Sequence, residues 1–273
     1  MSHEVNLRSA GATHARLTNT LQVSPGIEAV LAWPTRRRLT RGMTENNTIA
    51  LVTGANKGIG REIAAQLRGR GVTVLLAGRN PELVEPAAQE LGARPVIVDV
   101  SDDASVAAAA KLVEAEYGRL DALVNNAAIT GGGANDVETM QKVYNTNVFG
   151  VIRMIDAFVP LLQRSTNPRI VNVSSTVGSL AYTTSPDYAL PFLLPYPTSK
   201  TALNAVTVQY ARELGKQGIK INAICPGYCA TDLNGFTGTR TPAQGAEIAV
   251  TMAMIGEDGP TGGFFDENGP VAW

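Results

Sequence analysis

An α/β fold is predicted, a doubly wound parallel sheet in one domain with helices on both faces. Three observations predict it. Short β-branched runs alternate with segments of helical period from residue 49 onward. A glycine-rich turn, Thr53-Gly54-Ala55-Asn56-Lys57-Gly58-Ile59-Gly60, joins the first run to the first helix. The remaining polar motifs fall just after later runs, at strand ends, where ligands of such sheets bind. Strand–helix alternation implies parallel strands joined by right-handed crossovers and covered on both sides.

The elements follow in order. Residues 49–53 are an apolar strand bounded by Gly54. Ile59, Ile63, Ala64 and Leu67 recur at helical spacing, and Gly69 and Gly71 end that helix. Residues 72–77 form a second strand. A helix spans 81–91, with Pro86 expected to kink or split it. A strand over 96–100 precedes an alanine-rich helix over 102–117, and 120–125 is a fourth strand. One long helix is expected over 137–163. A strand at 169–173, a helix at 196–215 and a strand at 219–224 come next. Thr241-Pro242-Ala243-Gln244 reads as a capping box with Pro at the first helical position, opening a helix to residue 254.

Composition narrows the chemistry. The 273 residues carry a net charge of −1, 44% hydrophobic and 17% charged residues, ordinary values for one large globular domain. No run approaches a membrane span, and no basic excess suggests nucleic acid. Up to Gly42 the chain holds six Arg (Arg8, Arg16, Arg36, Arg37, Arg38, Arg41) against Glu4 and Glu28, net +4, which leaves −5 for the rest. Residues 1–42 show no sustained period. Met43 reads as the natural start, with the leader a misassigned extension or disordered tail and residues 43–273 the domain. The competing reading is an Arg-rich, acid-poor transit peptide. His3 and His14 both lie in the leader. A Ser-His-Asp hydrolase or a His-ligated metal site is therefore hard to build in the body, and no metal is expected. Cys225 and Cys229 lack redox-motif spacing and read as reduced cytoplasmic thiols.

The glycine turn suits a dinucleotide. Gly54 permits the tight turn, Gly58 lets the backbone approach a pyrophosphate, and Gly60 lets the helix pack near the strand. The helix amino terminus supplies N–H groups and a favourable dipole. The second strand ends Leu76-Ala77-Gly78-Arg79, without the acid that holds the ribose 2′-hydroxyl of NAD. Arg79 can instead pair with a 2′-phosphate, and Lys57 could add a second positive charge. NADP(H) is the expected cofactor; the bland alternative is that both are solvated charges.

Tyr196-Pro197-Thr198-Ser199-Lys200 places Tyr and Lys four residues apart, on one helix face. A free tyrosine titrates near pH 10. Lowering that by about 3 units needs roughly 4 kcal/mol, which a lysine charge about 4 Å away supplies at an effective dielectric near 20. The pair is thus expected to act as an acid/base, with Lys200 depressing the pKa of Tyr196.

From Asn47 on, the chain resembles the short-chain dehydrogenases/reductases and, within them, the carbonyl reductases. The matching residues are 53–60, Asp99-Val100, Asn125-Asn126-Ala127-Ala128, Asn147, Val173-Ser174-Ser175, Tyr196–Lys200, Pro226-Gly227, Thr231-Asp232, the helix at Gln244-Gly245-Ala246-Glu247 and Trp273. The resemblance implies a Rossmann-type fold and reduction of an aldehyde, ketone or quinone by hydride from NADPH. Tyr196 would protonate the carbonyl oxygen and Ser175 would hydrogen-bond it. Lys200, with Tyr196, would also bind the nicotinamide ribose, and Asn147 would hold a water relaying protons to Lys200. Asp99 and Val100 would line the adenine pocket, Asn126 would sit beside the adenine ribose, and the turn from Pro226 through Gly227 to Thr231 would hold the nicotinamide end, with Thr231 near the carboxamide. Ala128 replaces the family's usual glycine. The stretch from Ser175 to Tyr196 is longer than usual, which in related reductases accompanies a monomer. A monomer or weak dimer is therefore expected, with Tyr188, Phe192 and Leu193 shaping an apolar pocket or merely packing the loop; a solution mass of about four chains would refute the monomer. Residues 233–240 read as a mobile lid. Alcohol oxidation by NADP, and a non-catalytic NADPH sensor, remain the competing functions.

Overall fold

The computed structural model describes residues 48–186 and 188–273. The expectations for residues 1–42 lie outside them. Eight strands form one sheet in the order β3-β2-β1-β4-β5-β6-β7-β8. They are β1 (Ile49–Thr53), β2 (Thr73–Gly78), β3 (Arg94–Ile97), β4 (Ala122–Asn125), β5 (Arg169–Val173), β6 (Lys220–Ile224), β7 (Phe264–Asp266) and β8 (Gly269–Pro270). All pairings are parallel except β7 with β8. The chain runs outward from β1 through β2 to β3, then returns to the other side of β1 for β4. That reversal makes the β1–β4 boundary the topological switch point.

The helices are α1 (Gly58–Arg68), α2 (Pro81–Leu91), α3 (Asp103–Tyr117), α4 (Val137–Tyr144), α5 (Gly150–Leu162), α6 (Leu180–Thr183), α7 (Pro195–Leu214) and α8 (Pro242–Ala253). They cover the two faces of the sheet, as the Rossmann-type reading expected. The largest core packs Leu51, Leu75, Leu123, Ile170 and Ile221 of the strands against Met154, Phe158 and Leu203 of α5 and α7. β1, β4 and β5 are buried at every residue, which is why they are mostly apolar, with Asn125 and Asn172 bonded to each other where polar residues intrude.

Three local expectations change. Pro86 does not split α2. Its missing N–H would have bonded the Glu82 carbonyl, and both residues lie on the exposed face, where water satisfies that carbonyl. The third strand sits earlier than 96–100, because Asp99 turns the chain by accepting from the Ser101 N–H at 2.9 Å. The helix expected over 137–163 is broken by a π-helical turn, Asn145–Phe149. Asn145-Thr146-Asn147 is poor helix-forming sequence. At its far end Gly150 packs so close to β3's exit that a Cβ would lie 2.9 Å from Val100 Cγ2. Such turns are frequent at functional sites. The capping box of α8 is present as expected, Thr241 and Gln244 bonding reciprocally.

Candidate active site

A cavity of about 440 Å³ lies at the carboxyl ends of β1, β2, β3 and β4, over the switch point. It is lined by Gly54, Asn56, Lys57, Gly58, Ile59 and Gly60 from the glycine turn. Arg79, Asp99, Val100, Asn126, Ile129 and Thr231 complete much of the wall. The turn is shaped for backbone approach. Gly54 has φ +62° and a Cβ there would meet Ala127 Cα at 2.9 Å; at Gly60 it would meet Asn126 Nδ2 at 2.4 Å. Asn126 holds this geometry, donating from Nδ2 to the carbonyls of Thr53 at 2.9 Å and Gly54 at 3.2 Å. Thr53 Oγ1 accepts from the N–H groups of Asn126 and Ala127. Thr53 therefore joins the site although the sequence reading gave it no role. Thr231 stands across the turn, its Cγ2 3.4 Å from where a Cβ on Gly58 would be. These features fit a dinucleotide's phosphates, with the first-turn N–H groups of α1 opening on the cavity.

The charges around the cavity are partly matched. Arg79 is exposed at the end of β2. The Ser101 hydroxyl bonds Asp99 Oδ1 at 2.6 Å and, helped by the nearby Arg79 charge, holds the Asp99 carboxyl below its usual range against the opposing effect of burial. Lys57 reaches across the mouth to pair with Asp232. The pair is solvent-exposed and so contributes little energy.

The catalytic candidates lie beside this cavity rather than in its lining, and Gly227 is also outside it. Gly227 has φ +77° and a Cβ there would meet Arg240 Cδ at 2.6 Å, so glycine is required at that turn. Ser175 follows β5, and Tyr196 and Lys200 sit on the first turns of α7. The structure brings the three together: the Ser175 hydroxyl is near enough to the Tyr196 phenol to favour its ionised form, and Lys200 Nζ lies 5.5 Å from the Tyr196 ring centroid. Lys200 Nζ donates to the Val173 carbonyl at 2.8 Å. Ser174 fixes the neighbouring backbone, donating to Asn204 Oδ1 at 2.6 Å. Asn147 is carried inward by the π-helical turn. Its Nδ2 donates to the Ile129 carbonyl at 2.9 Å and to Ser199 Oγ at 3.0 Å, while Oδ1 accepts from the Ile129 N–H. Since Ile129 lines the cavity, Asn147 ties the nucleotide wall to the helix of Tyr196.

The electrostatics correct one expectation. Burial holds the Tyr196 phenol above the usual tyrosine range, with Cys225 adding to the rise and the Ser175 hydrogen bond opposing it. Lys200 does not depress it in this state, because the lysine loses its own proton before the phenol titrates. Burial instead lowers Lys200 to about 8, with Cys225 opposing. Cys225, read from sequence only as a reduced thiol, thus acts on both groups. A measurable consequence follows from Lys200. Between about pH 8 and its unfolded value near 10.5, the native state holds fewer protons at this residue than the unfolded state. Its contribution to stability therefore rises with pH across that window. Urea unfolding from pH 8 to 10 should show a slope of ΔG against pH that is more positive in wild type than in Lys200→Met, by up to about 1.4 kcal/mol per pH unit. Equal slopes would mean that Lys200 is not desolvated.

A sequence model of the short chain dehydrogenase family matches residues 48–241, well over half of the chain. The chain belongs to the short-chain dehydrogenases. Among relatives of this short-chain dehydrogenase, the (+)-neomenthol dehydrogenase of Capsicum annuum is 30% identical over 303 aligned residues, covering 81% of this chain and 96% of that protein. Salutaridine reductase of Papaver somniferum is 31% identical over 292 residues, covering 80% of this chain and 93% of its own. Its solved structure aligns with a TM-score of 0.73 at 29% identity, covering 81% of this chain and 100% of that one. An NADPH-bound carbonyl reductase from chicken fatty liver aligns with a TM-score of 0.72 at 29% identity, covering 83% and 99%. The carbonyl-reductase resemblance expected from the motifs is borne out at this level, and the chain is an oxidoreductase of this family. Among the described residues, no helix is long and apolar enough to cross a membrane.

Proposed function

We propose that this short-chain dehydrogenase reduces the carbonyl group of an aldehyde, ketone or quinone, using NADPH. The observation that carries the reading is the grouping of Ser175, Tyr196 and Lys200 beside the cavity at the switch point, with Lys200 Nζ 5.5 Å from the Tyr196 ring centroid. The phenol is protonated throughout physiological pH, so it can supply the proton that the forming alkoxide needs.

Bound NADPH supplies the hydride. The first turn of α1 and residues 54–60 would hold its pyrophosphate, Asp99 and Val100 the adenine, and Asn126 the adenine ribose. Tyr196 and Lys200 would take the nicotinamide ribose, with Gly227 and Thr231 at the carboxamide end. Ser175 and Tyr196 both present O–H groups to the substrate oxygen, and Tyr196 gives up its proton. Below about pH 8 Lys200 is an ammonium, and that charge would stabilise the phenolate left behind. Protons return to Lys200 by a water relay at Asn147, whose amide hydrogens are both committed, so that it contributes acceptor oxygens only.

The β2 end supports NADPH over NADH: it carries Arg79, whose guanidinium can pair with a 2′-phosphate, and lacks the acid that would hold a 2′-hydroxyl. The free thiols of Cys225 and Cys229 suit the cytoplasm. We retain a monomer or weak dimer, and a small-molecule carbonyl as the only partner.

The test is loss of absorbance at 340 nm with NADPH, and separately NADH, against menthone, aldehydes and quinones. Wild type should prefer NADPH. Arg79→Ala should lower kcat/KM for NADPH about 10- to 100-fold, the worth of a charge-assisted contact, and leave NADH unchanged. Turnover with NADH alone would overturn the cofactor assignment, and tight NADPH binding without turnover on any compound would favour a sensor.

A further inference from the structure

The long stretch between Ser175 and Tyr196 is fastened at its end by a side chain from a different loop. Asn135, between β4 and α4, accepts from the Leu194 N–H at 2.7 Å and donates to the Phe192 carbonyl at 3.4 Å. Leu194 is the N-cap of α7, two residues before Tyr196, and no side chain caps that helix from within. Asn135 therefore bridges the loop leaving β4, which carries Ile129 of the cavity wall, to the loop leaving β5, which carries Ser175. Just before it stand Gly131, Gly132 and Gly133, with φ of +85°, +67° and +89°. A Cβ on Gly131 would lie 2.5 Å from Thr139 Cγ2, whereas Gly132 and Gly133 have nothing within 4 Å. Gly131 is packed in place, and the two glycines beyond it offer little resistance to rotation. The Asn135 bonds thus set where this loop and residues 192–194 lie together. On the bridged segment Phe192 is 74% exposed and Leu193 39%. They are not packed down onto the core, so the loop-packing alternative fails for Phe192.

We propose that Asn135 is a specificity-determining positioning residue: its bridge holds Phe192 and Leu193 as a preformed apolar wall for a bulky apolar carbonyl substrate. The proposal rests on the reductase reading above. A wall fixed before binding spares the substrate the cost of ordering those side chains. The benefit reaches only substrates large enough to touch it, and it appears in binding rather than in chemistry, because Asn135 touches no reacting atom.

The test compares wild type, Asn135→Ala and Asn135→Asp with menthone and with butanal at saturating NADPH. Hydrogen exchange at the Leu194 amide is followed in the same proteins. Asp keeps an acceptor for the Leu194 N–H but loses the donor to Phe192. Asn135→Ala should raise KM for menthone about tenfold, a plausible loss for freeing two ordered side chains, with kcat and the butanal parameters unchanged. Leu194 exchange should accelerate in the Ala variant, and Asp should restore most of both effects. Equal losses on the two carbonyls, a loss in kcat alone, or Leu194 exchange unaltered in Asn135→Ala would overturn the proposal. Wild type inactive on both carbonyls would overturn the reductase reading and the wall with it; Leu194 exchange, which needs no turnover, distinguishes that from failure of the bridge alone.

Discussion

Tyr196→Phe should abolish most carbonyl reduction while leaving NADPH bound. The phenylalanine keeps the ring against Lys200 and removes only the O–H that Ser175 contacts. A positioned general acid contributes about 10²- to 10⁴-fold. Turnover should therefore fall by about 10³-fold, with NADPH affinity, read by quenching or calorimetry, close to wild type. The phenol's raised pKa sharpens the expectation. If the group acts as an acid, wild-type reduction should show no loss of activity attributable to Tyr196 between pH 6 and 9, since it stays protonated throughout. Ser175→Ala removes one of two donors to the substrate oxygen and should cost less. Retention of wild-type turnover in Tyr196→Phe would place the proton donor elsewhere. Loss of NADPH binding along with turnover would make the tyrosine a structural support.

Much of this site was readable because its parts are local. The glycine turn is eight consecutive residues between a strand and a helix, and Tyr196 and Lys200 are one helical turn apart. Asn126 and Ser175 each follow a buried apolar strand by one or two residues, so the strand pattern places them at the sheet's carboxyl edge. What escaped depends on partners far away in sequence. The π-helical turn is held by Asn147 bonding Ser199, 52 residues on. Only the polar Asn145-Thr146-Asn147 run hinted at it. Lys57 pairs with Asp232, 175 residues away, which no spacing rule reveals. The direction of the Tyr196 shift failed for the same reason. Its neighbour was correctly named, but the burial around both groups comes from the assembled sheet. β7 and β8 span three and two residues, too short to show any period.

The glycine cradle makes the second large prediction. Gly60 lies where β1's turn, α1 and β4 converge, and a Cβ there would fall 2.4 Å from Asn126 Nδ2 and 2.5 Å from the Gly54 carbonyl. Neither is the free end of a flexible chain. The amide is bonded to Thr53 and Gly54, and the carbonyl is backbone. Gly60→Ala must therefore push Asn126 off the turn or shift α1 away from the sheet. Overpacking of this kind costs about 1–3 kcal/mol, which urea unfolding would read. The same displacement moves the N–H groups meant for the pyrophosphate, so NADPH affinity should fall further than stability, by about 100-fold or more if two charge-assisted hydrogen bonds are lost. Gly132→Ala is the matched control. It too places a methyl on a glycine, at φ +67°, but into open space. It should cost about 1–2 kcal/mol of backbone strain and leave NADPH binding intact. A Gly60→Ala protein that binds NADPH as tightly as wild type would mean that the phosphates do not lie on this turn, and the assignment of the cavity would have to be abandoned even if the tyrosine proved catalytic.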